Sequence, residues 1–82
     1  MTIFKFSLPV HGLNTVLMPK WADIVHCDFS GDDPAIWVYC NQEALKEERQ
    51  FLVLGTGKPI PKKAIYLGTA VKPGVGVHVF EV

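Results

Sequence analysis

The sequence predicts an all-β domain, either a small antiparallel barrel or a two-sheet sandwich of about seven short strands with one short helical turn. Three observations lead there. Apolar and polar residues alternate with period two through most of the chain, and clusters of Gly, Pro, Asp and Asn interrupt that alternation. Only residues 41–50 have a composition that favours helix.

Residues 2–8 open the chain with Phe4, Phe6 and Leu8 on one face and Lys5 and Ser7 on the other, until Pro9 and Gly12 break the run. A short strand over 14–18 puts Val16 and Met18 on a common face, and Pro19 ends it because proline brings no donor to a ladder. Residues 22–30 set Ile24, His26 and Asp28 against Val25, Cys27 and Phe29. The cluster Ser30-Gly31-Asp32-Asp33-Pro34 then turns the chain into 35–40, where Ala35, Trp37 and Tyr39 alternate with Ile36, Val38 and Cys40.

Gln42 to Arg49, with Asn41 as N-cap and Glu43 in the first turn, reads as a solvated helical turn or a long hairpin loop. A strand over 50–54 follows, with Phe51 and Val53 opposite in face to Leu52 and Leu54. The last two strands, 64–72 and 76–82, are joined at Pro73-Gly74-Val75-Gly76, and Gly68 within a strand implies a bulge or a close backbone neighbour.

At 82 residues the chain makes one domain, residues 1–82, small enough that much apolar surface stays outside. Hydrophobic residues are 49% of the composition, so a homo-oligomer is expected. Eight basic and eight acidic residues give a net charge of zero, which argues against non-specific nucleic-acid binding. No segment reaches the roughly 18 to 20 apolar residues of a membrane helix and no signal peptide is evident, so a cytoplasmic protein with no membrane partner is expected. Cys27 and Cys40 read as reduced core thiols; a turn at Asp32-Asp33-Pro34 would set Cys27 opposite Val38 and Cys40 opposite Val25.

The segment Gly55-Thr56-Gly57-Lys58-Pro59-Ile60-Pro61-Lys62-Lys63 concentrates backbone freedom and positive charge. It is not a Walker loop, because Leu52 stands where that motif needs glycine, Pro59 follows the lysine, and the prolines forbid the helix that should come next. What remains is an anion-binding turn at Gly55, Thr56, Gly57 and Lys58, weighed against an ordinary connection with solvated lysines. Trp37 and Tyr39 are the candidate stacking residues, weighed against a packing role. His11, His26, His78 and the cysteines lack metal-ligand spacing, and neighbouring residues of a strand diverge, so no metal, cofactor or catalytic set is expected.

Phe4-Lys5-Phe6, Met18-Pro19-Lys20-Trp21-Ala22, Ile36-Trp37-Val38, Arg49-Gln50-Phe51 and Gly55-Thr56-Gly57-Lys58-Pro59-Ile60 together resemble a family of small uncharacterised proteins encoded by bacteriophages and prophages. Almost the whole chain is covered. Histidine is common in that family at the position of Lys58, so the lysine is a departure. The resemblance implies a setting in the cytoplasm of a bacterial host. It favours a counter-defence protein that sequesters a small phosphorylated nucleotide, a cyclic nucleotide or an ADP-ribose derivative. The alternatives are a module that inhibits a host defence protein or nuclease, and a minor virion or assembly component.

Overall fold

The computed structural model describes residues 1–82. Seven strands, β1 (Thr2–Ser7), β2 (Gly12–Pro19), β3 (Asp23–Ser30), β4 (Asp33–Cys40), β5 (Lys46–Gly55), β6 (Ile65–Lys72) and β7 (Val75–Glu81), account for the regular structure, and there is no helix. Every pairing is antiparallel. A smaller sheet has the order β1-β4-β3 and a larger one the order β2-β5-β7-β6, so the molecule is an open sandwich and not a closed barrel.

The β3–β4 hairpin turns at Gly31-Asp32, with Gly31 at φ 64° and Ser30 opposite Asp33. This is earlier than the Asp32-Asp33-Pro34 turn read from the sequence. Pro34 instead lies in β4 beside Phe29, and its carbonyl accepts the Leu8 amide at 2.8 Å. The turn shift and a bulge at Val25 set Cys27 opposite Ile36, while Cys40 faces Thr2 of β1. Cys40 is four strand positions beyond Ile36, about 13 Å at strand rise. Both cysteines are buried free thiols, too far apart to bridge.

The expected helical turn at 41–50 is replaced by one tight turn and the start of β5. Asn41 accepts the Glu43 amide on its side chain and the Ala44 amide on its carbonyl, both at 3.0 Å. It caps a turn, as its residue type suggested, but no helix follows. β2 extends to Pro19 and pairs with β5 back to Lys46, giving this charged stretch the ladder partner that helical composition alone does not anticipate. Arg49 then points between the sheets. Its Nε and Nη2 donate to the two Glu81 carboxylate oxygens at 2.6 and 2.7 Å, and its Nη1 donates to the Ala22 carbonyl at 2.6 Å. These Glu81 bonds raise the guanidinium pKa against the opposing effect of burial.

The core forms from Ile36, Val38, Cys40 and Cys27 of the smaller sheet against Met18, Phe51, Val53, Ala70, Val77 and Val79 of the larger one, with Leu8 closing an end. Asn14 is buried at the rim, where its side chain accepts the Val10 amide and donates to the Val10 and Gly12 carbonyls, satisfying the tight 9–12 connection. β3 and β6 close one seam. The ladder carries the expected bulge beside Gly68, and the close neighbour there is a side chain and not a backbone: a Cβ on Gly68 would stand 2.8 Å from the Cys27 Cβ.

Two outcomes follow for stability, both measurable by urea denaturation. Gly68→Ala forces the sheets apart at the β3–β6 seam and is expected to cost about 1–3 kcal/mol. Arg49→Met leaves the Glu81 carboxylate and the Ala22 carbonyl without their donor and is expected to cost about 2 kcal/mol, with the double variant Arg49→Met, Glu81→Leu recovering most of it.

Candidate functional site

β5 and β6 are both antiparallel to β7, which lies between them, so β5 and β6 run parallel to each other. Parallel strands cannot be joined by a tight hairpin. Residues 56–64 therefore cross the sheet as an arm, and they hold the glycine-lysine segment. Pro59 and Pro61 keep the arm from becoming a helix. Instead the Lys58 amide bonds back to the Gly55 carbonyl at 3.3 Å, Gly57 adopts φ 92°, and the Ala64 amide bonds the Pro61 carbonyl at 3.1 Å.

Beneath the arm lies a groove of about 490 Å³. Gly55, Gly57, Lys58 and Ile60 form one wall, and Leu54, Tyr66, Thr69, His78 and Phe80 form the floor and the other wall. The bulge between Tyr66 and Gly68 turns Tyr66 to the same face as Thr69, against strict alternation. The Tyr66 and Phe80 rings stand 5.7 Å apart at 57°, and this contact helps keep Phe80 buried on what would otherwise be an open sheet face.

A hydrogen-bonded chain runs along the groove. Tyr66 Oη is 2.6 Å from Thr69 Oγ1, which is 2.9 Å from His78 Nδ1, and His78 Nε2 is 2.8 Å from Thr56 Oγ1. Alternation within a single strand does not bring these four residues together, because they come from three different segments. Thr56 comes from the arm, Thr69 and His78 face each other across the β6–β7 ladder, and Tyr66 joins them through the bulge. The chain offers hydroxyl and imidazole groups at short range and one nearby cation, Lys58. It lacks a carboxylate on His78, whose second nitrogen meets the Thr69 hydroxyl.

Of the residues singled out in the sequence, Gly55, Gly57 and Lys58 line this groove, and Thr56 stands at its edge, bonded to the groove-lining His78. A Cβ on Gly55 or Gly57 meets nothing within 4 Å, so glycine is required at 57 by its positive φ and not by crowding. Trp37 and Tyr39 lie elsewhere, on the outer face of β4 in the smaller sheet. Trp37 sits between Lys5 and His26 in register, with its ring 5.2 Å from the imidazole, and Tyr39 stands between Ile3 and Asp23. The groove's aromatics are Tyr66 and Phe80 instead. His26 and Asp28 face each other at 3.7 Å on exposed side chains, and no group of three or more His, Cys, Asp and Glu side chains is placed to hold a metal.

The chain belongs to a family defined as a domain of unknown function, DUF7352, whose model matches residues 1–82. No curated protein and no solved structure matches it.

Burial, and secondarily the Asp28 charge, push the Cys27 thiol pKa above its ordinary value of 9.0, which keeps the sulfur in its unreactive form at neutral pH. In the native protein Cys27 is expected to resist iodoacetamide at pH 7.5 and to react after unfolding in urea, as read by mass spectrometry. Because the folded state disfavours the thiolate, this contribution to stability is complete below the unfolded thiol pKa and is lost as pH rises through the folded value. Cys27→Ala is expected to remove that alkaline decline from the pH–stability profile.

Proposed function

We propose that this member of the family binds a small phosphorylated nucleotide in the groove beneath the 56–64 arm and withholds it without chemical turnover. The observation that carries the reading is the meeting, in one concavity of about 490 Å³, of a cation and hydroxyl donors with an apolar, partly aromatic floor. That volume lies in the range of small-ligand sites. Lys58 and Thr56 suit phosphate oxygens, and the exposed Tyr66 ring over Phe80 suits the face of a base. The absence of a carboxylate or other charged group on His78 Nδ1 supports retention over hydrolysis, since nothing there stabilises an imidazolium formed by taking a proton from Thr56.

The resemblance to phage and prophage proteins supports a counter-defence setting in the host cytoplasm. There a binder present in excess removes a cyclic nucleotide or an ADP-ribose derivative from its effector by mass action alone. Self-association would cover part of the large apolar surface that stays exposed, including Leu13, Leu17 and Ile65.

A second reading, inhibition of a host defence protein, has one observation in its favour. Trp21 is 84% exposed and sits at φ 62°, a conformation bulky residues rarely adopt, in a turn pinned by Lys20 N to Leu45 O and by Arg49 to Ala22 O. A tryptophan held rigidly outward is the kind of anchor that protein interfaces use.

A thermal-shift panel of cyclic di- and trinucleotides, ADP-ribose derivatives and mononucleotides separates the two. A ligand at about 100 times its dissociation constant adds roughly 2.7 kcal/mol, which raises the midpoint by about 10 °C or more in a domain of this size. Lys58→Ala is expected to weaken that ligand in low salt more than in high salt. A flat response to the whole panel, together with loss of a captured host protein in Trp21→Ala, would replace the nucleotide reading with the second one.

A further inference from the structure

The hydrogen-bonded chain from Tyr66 to Thr56 has a direction, and that direction decides what the groove accepts. Each hydroxyl has one hydrogen to give, and a neutral imidazole has one N–H and one bare nitrogen. The three short separations, 2.6, 2.9 and 2.8 Å, therefore admit two polarities. With hydrogens running outward, Tyr66 donates to Thr69, Thr69 donates to a bare His78 Nδ1, and Nε2–H donates to Thr56. The Thr56 hydrogen is then left for a ligand. With hydrogens running inward, Thr56 donates to a bare Nε2 and shows the groove only lone pairs.

Acidity selects between them. A phenol is a stronger hydrogen-bond donor than an aliphatic hydroxyl, which favours the polarity in which Tyr66 donates to Thr69. Thr69 is half-buried, and its own hydrogen finds its acceptor in Nδ1. Nε2 then carries the imidazole proton. Protonation of the ring leaves the outer end unchanged, because Nε2–H still donates to Thr56.

We propose that Thr56 is the residue that meets an anionic oxygen of the ligand, as a donor, and that Tyr66 and Thr69 fix that polarity through His78. This rests on the groove being the nucleotide site. The chemistry selected is an acceptor-only oxygen, as on a phosphate, with Lys58 supplying charge, and a ligand ammonium or amino group is disfavoured at the same point. Lys58 lines the groove and Thr56, at its edge beside Gly55 and Gly57, is the specificity residue of the assignment; His78, Thr69 and Tyr66 Oη act through Thr56 as positioning groups.

The test is long-range proton–nitrogen NMR of the imidazole of His78 in labelled protein, combined with titrations of ADP-ribose, adenosine 5′-monophosphate and adenosine. The expected spectrum shows a protonated Nε2 with and without ligand. Thr56→Val, nearly isosteric and on the surface, is expected to lower affinity for the two phosphate-bearing probes about tenfold and to leave adenosine unchanged. Tyr66→Phe keeps the ring and is expected to shift the imidazole toward the Nδ1–H tautomer. A bare Nε2 in the wild-type protein, or undiminished phosphate-probe affinity in Thr56→Val, overturns the assignment while leaving the nucleotide reading intact. No binding of any of the three probes by wild-type protein overturns both the assignment and the nucleotide reading on which it rests.

Discussion

The placement of β7 between β5 and β6 is the constraint on which the candidate site depends. Because both neighbours run antiparallel to it, they are parallel to each other, and the chain between them has to travel the length of the sheet instead of turning back at its end. A segment crossing an exposed sheet face leaves space beneath it unless it packs flat. With prolines at 59 and 61 and a left-handed glycine at 57, it stands off from the sheet. The groove, the approach of Thr56 to His78 and the partial cover over Phe80 are consequences of that single ordering of strands.

Two local features keep the sheets in the relation that this ordering needs. At the β3–β6 seam, absence of a side chain at Gly68 lets Cys27 seat directly against the backbone. Along the opposite direction, Arg49 links β5 to β7 through Glu81 and to the β2–β3 turn through the Ala22 carbonyl. One guanidinium thus ties three places that are distant in sequence. A bidentate pair with both side chains about one-fifth exposed lies between the weak surface class and the fully buried class of ion pair. Its value is as much geometric as energetic: the planar fork fixes the register at the end of β7.

Much of the fold could be read from alternation and turn residues. The fold class, the seven strands and the β3–β4 and β6–β7 hairpins follow from period two and the turn residues, whereas residues 35–40 read as apolar on both faces and only the Ile36, Val38 and Cys40 face is buried in the core. Alternation fails where the backbone inserts an extra residue, and the bulges at Val25 and at Leu67 each move a side chain to the other face. The second of these puts Tyr66 beside Thr69, which strict alternation places on opposite faces, so the hydroxyl chain is not legible in the sequence. Strand order is likewise silent in a single sequence: chemistry alone groups Trp37 and Tyr39 with Gly55, Thr56, Gly57 and Lys58, and topology separates them by placing β4 in the other sheet. The charged run after Asn41 misleads for a related reason: its residues favour helix when isolated, and it becomes strand because β2 is there to pair with it.

The remaining seam, between β1 and β2, stays open, and its backbone has a consequence for how the protein behaves at high concentration. Leu8 bonds toward β4 through Pro34, so by antiparallel alternation Ile3, Lys5 and Ser7 direct their peptide groups outward from the smaller sheet. Such an edge is a template on which another chain can extend the sheet. One residue blunts it: the Lys20 amide bonds toward β5 through the Leu45 carbonyl, so position 19 faces outward, and Pro19 removes the amide that the β2 edge would otherwise present there. The molecule thus carries its own guard against fibril-like stacking at the point where its sandwich fails to close.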